Sequence, residues 1–306
     1  DRILGLLRHG SGIMTRVDED NQHRLMGHLV AFQRNKSSCG SAANTLIGVA
    51  ATVGSSYYTC KVADDDLGQF YLNDLKEAGV DTNINGTHPD GITGKCLVMV
   101  TPDAERTMHS FLGISSELSI NELHKEHIAN SEYCYMEGYL VTSPCAKEAN
   151  IEARKVAEAN GVKTAFTFSD PGIVEFFGEQ LKETIGDGID LLFCNELEAL
   201  KYTKKDNIGD AIDVIKTFSK NFAITLGAEG AAVYDGTTLF EIAPHKVTAV
   251  DTNGAGYNFA GAFLYGITHG MNYQQAGDLA SKTAAQVVTG FGPRLKPEEY
   301  RKLVQG

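Results

Sequence analysis

The sequence predicts an α/β three-layer sandwich with a central, mostly parallel sheet, helices on both of its sides, and a small β lid built from the first third of the chain. Three observations point there. From about residue 130, strand-like apolar runs alternate with helical periodicity, the pattern of a parallel sheet covered by helices. After Asn221 the runs shorten and are separated by Gly or Asp-Gly turn signals. Two long helical stretches, Gly256–His269 and Tyr273–Thr289, then follow.

Taken in order, Ser41–Val53 reads as a helix of small residues, whose low side-chain volume suits close packing against a sheet or a ligand. Lys95–Thr101 and Arg106–Leu112 read as strands joined at a Pro102-Asp103 turn, a hairpin projecting from the main sheet. With Gly12–Val17 this hairpin makes the expected lid, roughly residues 12–17 plus 95–112. Tyr133–Glu137, Lys163–Phe168 and Asp190–Cys194 are strands; Ala146–Asn160, ended by Gly161, and Val174–Ile185 are helices, giving βαβαβ. Shorter strands are expected at Phe222–Leu226, Ala231–Tyr234, Thr238–Ala243 and Val247–Val250. No repeat, low-complexity tract or long linker divides the chain, so residues 1–306 read as one domain.

Composition narrows the partners. A formal charge of −12 without a basic run argues against nucleic acid or an anionic membrane, and no stretch approaches the length of a membrane span. A small molecule is the expected partner, with a homo-oligomer left open. The six cysteines are scattered without a C-x-x-C pair, which indicates neither a zinc site nor a disulfide framework and points to a reducing, cytoplasmic setting. His124-Lys-Glu-His127 places two histidines at i and i+3 on a polar helix, a spacing read as solvated residues rather than metal ligands. Gly91-Ile-Thr-Gly-Lys-Cys96 lacks the spacing of a P-loop, and no G-x-S-x-G elbow is present.

The segment richest in chemistry is Val250-Asp-Thr-Asn-Gly-Ala-Gly-Tyr-Asn-Phe-Ala-Gly-Ala-Phe263, where a strand-like run enters a Gly-Ala-Gly turn that opens a helix. N–H groups at a helix start are unpaired and lie at the positive end of the dipole, a setting for anionic oxygen. The bland alternative is that Gly254 and Gly256 only permit a tight turn.

The whole string resembles the C-terminal signature of the ribokinase-type (PfkB) carbohydrate kinase family, and within it the adenosine kinases in particular. The resemblance implies a ribokinase-like fold and phosphoryl transfer from ATP with Mg²⁺ to a primary hydroxyl of a nucleoside or sugar. Gly254, Ala255 and Gly256 then form the anion hole around the γ-phosphate. The base position, an Asp in the family, holds Tyr257 here. Cys39-Gly-Ser-Ala-Ala-Asn44 resembles the family's sugar-binding Gly-Gly-x-x-x-x-N element, with Gly40 and Asn44 matching and Cys39 in place of a glycine. Asn195-Glu-Leu-Glu198 resembles the N-x-x-E motif, which implies that Asn195 and Glu198 order the water shell of Mg²⁺; alone it reads as a helix cap. Thr225-Leu-Gly-Ala-Glu-Gly230 resembles the turn beside the nucleotide, which assigns Thr225, Gly227 and Gly230 to ATP, or else it is a plain hairpin turn. Glu137-Gly-Tyr-Leu-Val-Thr-Ser-Pro144 and Ser169-Asp-Pro171 echo the adenosine kinases, and Glu137 stands at an acceptor-side strand end. Asp251 and Asn253 fall beside the anion hole, where the resemblance also allows a monovalent cation. The family's opening strand with its ribose-gripping G-N-x-x-x-D string has no counterpart before Cys39.

General-base help is worth about 10²–10⁴-fold in such a reaction. A phenol with a pKa of about 10 is a poor base at neutral pH, so Tyr257 implies an impaired enzyme. The rival reading is a catalytically silent nucleotide- or sugar-binding protein on the same fold.

Overall fold

The computed structural model describes residues 14–29, 36–86, 88–100 and 106–305. Strands β1 (Met14–Arg16), β2 (Ser56–Tyr58), β3 (Val80–Thr82), β4 (Thr93–Val100) and β5 (Arg106–Gly113) make two small sheets, β1-β5-β4 and β2-β3. Strands β6 (Tyr133–Glu137), β7 (Lys163–Thr167), β8 (Ile189–Asn195), β9 (Ser219–Thr225), β10 (Ala231–Tyr234) and β11 (Leu239–Ile242) form the main sheet in the order β11-β10-β9-β8-β7-β6. β6 to β9 run parallel, while β10 and β11 close one edge antiparallel.

Side chains alternate across a strand, and here both faces are apolar. The register lines up Met136, Phe166, Leu192 and Phe222 as one row across four strands, all 3% exposed or less. That row packs with Leu181, Ile185, Ile212 and Ile215 from the helices on its side. The neighbouring positions Ala165, Leu191, Phe193 and Ala223 face the other layer, where Phe259, Phe263, Ala276 and Ala280 of helices Ala255–Thr268 and Tyr273–Val287 meet them. A sheet buried on both faces requires this uninterrupted hydrophobicity, which is why the run Leu191–Cys194 has no polar residue.

The helix Ser41–Ala51 is nearly all buried, and its small residues let it pack closely on a neighbouring helix. It lies against Ala255–Thr268 so closely that a Cβ at Gly261 would stand 2.5 Å from the Thr45 carbonyl oxygen.

Several expectations are corrected. The hairpin β4-β5 exists, but it belongs to the separate three-stranded sheet rather than projecting from the main one. Its turn at Pro102-Asp103 lies outside the described residues, as do residues 1–13, which include Gly12 and the place of an opening strand. Val174–Ile185 is two helices, Pro171–Phe176 and Gly178–Ile185. The first starts early because Asp170 caps it and Pro171 occupies its first turn. Val247–Val250 is not a strand: Pro244 and the free edge at β11 leave it no ladder partner, and the Val250 N–H instead meets the Val288 carbonyl at 2.7 Å. All six cysteines are free, and among the described residues no helix is long and apolar enough to cross a membrane.

Asp190 ties three central strands. Its carboxylate accepts the Thr164 N–H at 2.8 Å, the Thr164 hydroxyl at 3.1 Å and the Lys220 ammonium at 2.7 Å. Desolvation pushes its pKa up, but the bonds from Lys220 and Thr164 outweigh it and hold the carboxyl below the usual aspartate value. A depressed carboxylate stabilises the fold above its unfolded pKa of about 4 and loses that contribution as pH falls through the folded value. Asp190→Asn should therefore lower the urea-unfolding free energy by about 1–3 kcal/mol at pH 7, and the gap to the parent protein should close as the titration passes below about pH 4.

Candidate active site

The parallel strands end on one edge of the main sheet, where the register sets Glu137 beside Thr167 and Asn195 beside Thr225. In open α/β folds this carboxyl edge is where ligands bind. A cleft of about 2160 Å³ runs between the β6 end of that edge and the β1-β5-β4 sheet, and Glu137, Tyr139, Asp251, Asn253 and Tyr257 line it together with Cys39, Gly40 and Cys96.

The turn ahead of helix Ala255–Thr268 is built from backbone outward. Asp251 is buried and its carboxylate accepts the Asn253 N–H at 2.8 Å and the Gly292 N–H at 3.0 Å, folding the loop onto the segment after Val288. Gly254 caps the helix with φ +85°, and a Cβ there would lie 2.0 Å from the Pro293 carbonyl oxygen. Only glycine satisfies both the left-handed backbone and that contact. The fully buried Asn258 locks the arrangement: its Nδ2 donates to the Gly254 and Pro293 carbonyls, each at 2.7 Å, and its Oδ1 accepts from the Tyr300 hydroxyl. No side chain caps the helix start; the Ala255 N–H reaches the Thr252 carbonyl at a long 3.5 Å, and the Gly256 N–H sits beside it at the positive dipole end. Gly256 is exposed and a Cβ there would meet nothing within 4 Å, so its glycine keeps the approach open rather than fitting a contact. Tyr257 follows at the cleft wall, its side chain hydrogen-bonded to that of Tyr139. Burial, then the Tyr257 and Asp170 charges, raise the Tyr139 pKa, which keeps that phenol protonated.

The opposite wall of the cleft begins at Gly40, whose φ of +149° favours glycine. Its neighbour Cys39 is exposed and lines the cleft, so the thiol occupies space a glycine would leave. Asn44 is fully buried, and neither its Oδ1 nor its Nδ2 has a hydrogen-bond partner; the nearest group is the weakly bonding Cys39 thiol. An orphaned amide is costly and calls for a ligand or water to complete it. Glu137 accepts the Ala42 N–H at 2.8 Å, and burial raises its pKa more than that bond lowers it.

Farther along the sheet edge, at the end of β8, Asn195 and Glu198 form a reciprocal helix cap. Glu198 Oε2 accepts the Asn195 N–H at 2.9 Å, its Oε1 accepts Asn195 Nδ2 at 3.0 Å, and Asn195 Oδ1 accepts the Glu198 N–H at 2.8 Å. Direct coordination of a metal would break this cap, whereas the remaining lone pairs fit hydrogen bonds to metal-bound water. Gly230 has φ +92° and a Cβ would stand 2.0 Å from the Ile242 carbonyl oxygen, so this glycine is demanded by the approach of β11. Gly227, at φ +60°, is exposed with open space around it. Asn195, Glu198, Thr225, Gly227 and Gly230 share the strand edge but do not line the cleft that joins Gly40, Glu137 and Tyr257.

Sequence reasoning missed the groups that hold the halves together. Arg294 donates to the Ser38 hydroxyl at 3.0 Å and to Asp74, whose carboxylate also accepts the Ser38 N–H at 2.8 Å. The residue after Pro293 is thus tied to the segment entering Gly40. Asn258 and Tyr300 were equally invisible, although Asn in an apolar helix such as Phe259–Leu264 continues is a signal for a buried bond.

Comparison with known proteins agrees with this architecture. A family model described as pfkB family carbohydrate kinase matches residues 10–299. The solved structure of adenosine kinase from Sinorhizobium meliloti superposes with a TM-score of 0.93 at 32% identity, covering 100% of this chain and 93% of that one. A probable sugar kinase protein from Rhizobium etli CFN 42 gives 0.91 at 29% identity with the same coverage. The adenosine kinase of Saccharomyces cerevisiae is 27% identical over 98% of this chain and 89% of its own length. The fold is ribokinase-like.

The clamp behind the turn is open to test. Asn258→Leu keeps the volume but takes the side-chain partner from the Pro293 carbonyl and the Tyr300 hydroxyl, and should cost at least about 2 kcal/mol in urea unfolding; Tyr300→Phe, which removes the donor to Asn258 Oδ1 and the acceptor of the Leu295 N–H, should cost less, about 1–2 kcal/mol.

Proposed function

The chain belongs to the pfkB family of carbohydrate kinases, and we propose that it transfers the γ-phosphoryl group of ATP to a primary hydroxyl of a nucleoside of the adenosine type or of a sugar, at a rate limited by Tyr257. The observation that carries this is the uncapped helix start at Gly254–Gly256, wedged against Pro293 and next to a cleft wall that also presents Glu137 and Gly40. The chain's similarity to adenosine kinases and to a probable sugar kinase supports the acceptor class.

When bound, ATP with Mg²⁺ supplies the electrophilic phosphorus and a charge-neutralised leaving group. The protein's part is positioning and electrostatics. The N–H groups of Ala255 and Gly256 hold the oxygens of the transferred group, and Asn195 with Glu198 orients the water shell of the metal. Thr225, Gly227 and Gly230 shape the nucleotide's seat. Gly40, Asn44 and Glu137 hold the acceptor hydroxyls, the orphaned amide of Asn44 being completed by them. The β1-β5-β4 sheet acts as the lid that keeps water out, and Asp251 and Asn253 offer a place for a monovalent cation beside the turn. Tyr257 stands where the proton of the attacking hydroxyl must go; a neutral phenol paired with Tyr139 takes it poorly, and its ring fills room for the acceptor.

That same pairing favours a second reading, a protein that binds nucleotide and sugar without turnover. Calorimetry with a non-hydrolysable ATP analogue and Mg²⁺ should show binding under either reading; no heat and no thermal shift at millimolar nucleotide would rule out both. Tyr257→Asp should raise product formation from labelled ATP by at least about 10²-fold on one member of a panel of adenosine, other nucleosides, ribose and fructose, with a smaller change in ATP affinity. A folded, ATP-binding aspartate variant that stays inactive on every acceptor would favour the silent binder. Ordinary kinase turnover by the unaltered chain would remove Tyr257 from the base position.

A further inference from the structure

Where the cleft wall passes from β2 to the segment ahead of β6, two histidines and a glutamate converge. Among the described residues, His124, Glu126 and His127 are the group of three whose ligand atoms all lie within 4.8 Å of one another. The i, i+3 spacing by itself says only that two rings share a side of a short polar helix. The tertiary structure adds Tyr57 from β2, remote in sequence, which touches both.

The Tyr57 hydroxyl lies 2.6 Å from His124 Nδ1, and the Tyr57 ring stacks on His127 with centroids 3.8 Å apart and planes 9° from parallel. The hydrogen bond and the stacked ring hold both imidazoles in place from outside their own helix. In the tautomer in which His124 Nδ1–H donates to the phenol oxygen, the Nε2 lone pair is left free for an ion, the orienting arrangement that metal-binding histidines use. The two imidazole centroids are 6.0 Å apart. With metal–nitrogen bonds of about 2.1 Å and about 1.2 Å from nitrogen to ring centre, two rings on one ion have centroids at most roughly 6.6 Å apart. The pair is therefore within chelating distance, and Glu126 is exposed, so its side chain has room to turn toward the ion. Glu126 and Asp81 lie near Tyr57, and the ammonium of Lys125, next in sequence, is paired with Glu152 at 2.5 Å.

We propose that His124, Glu126 and His127 form a binding site for a divalent transition-metal ion, zinc in the first instance, with Tyr57 as the positioning residue that orients both imidazoles. Two imidazoles and one carboxylate suit zinc and its neighbours and do not suit magnesium, so the site is chemically distinct from any Mg²⁺ that accompanies a nucleotide. Three protein ligands leave a fourth position to water. Because Tyr57 and His127 both line the cleft, a bound ion would join β2 to the helix Lys125–Ala129 and stiffen the cleft's rim without entering the chemistry at Gly254.

The test is zinc calorimetry on the full chain in competition with a chelator of known affinity, together with the visible d–d absorption of the protein titrated with Co²⁺. The expected result is one site per chain with four-coordinate cobalt bands. Affinity should fall at least about 10-fold in His124→Ala/His127→Ala and in Glu126→Gln, and about 10-fold in Tyr57→Phe, which removes the orienting oxygen but no ligand. His245→Ala, on a distant surface, should leave it unchanged. Glu126 is exposed and its replacement does not endanger folding, so that variant decides the matter even if the double histidine variant is unstable. Zinc affinity within twofold of the parent in Glu126→Gln, or cobalt bands that persist in the double variant, would overturn the proposal.

Discussion

The contact between Gly254 and the Pro293 carbonyl is the constraint on which the site depends. No side chain has room at position 254, and the backbone there is left-handed, so the start of helix Ala255–Thr268 is defined by what the chain does forty residues later. Asn258 converts this approach from a steric coincidence into a bonded joint, because its amide reads both carbonyls at once and is itself held by Tyr300. A buried network of this kind has one arrangement in which all its members are satisfied, which makes the direction of the first-turn N–H groups a fixed property of the fold. Anion binding at such a turn needs no rearrangement when the ligand arrives, and a preorganised electrostatic site gains its strength from that.

The same C-terminal segment reaches the opposite wall. Arg294 follows Pro293 directly and meets Asp74 and Ser38, just ahead of Cys39 and Gly40. The helix Ser41–Ala51 then continues from Gly40 and lies against Ala255–Thr268 at the Gly261–Thr45 approach. The loop at Gly40 and the turn at Gly254 are thus joined twice, once through an ion pair and once through the close approach of two helices. These two joints hold the two walls of the cleft in a fixed relation.

Tyr257 stands apart from that scaffold. Gly254 and Gly230 are fixed by close backbone approaches and Asn195 by a reciprocal cap, whereas Tyr257 is partly exposed at the cleft wall, where its side chain meets that of Tyr139. The turn is defined by backbone contacts that do not involve the side chain at 257.

Much of this protein was legible before folding. The apolar runs of β6 to β9 and the periodicity of the helices between them announced a parallel sheet, because a strand buried on both faces has no polar position to spare. The Gly-Ala-Gly turn and its resemblance marked the family. What the sequence could not determine was every relation between distant segments. The reciprocal cap that occupies Asn195 and Glu198, the second helix on which the small residues after Gly40 pack, and the loss of Val247–Val250 as a strand all turn on which partners were in reach. Asp74 with Arg294, Asn258 with Pro293, and Tyr57 with His124 are separated by 220, 35 and 67 residues. Local propensity carries no information about such pairs; they are chosen when burial forces polar groups to find partners, and that choice belongs to the tertiary structure alone.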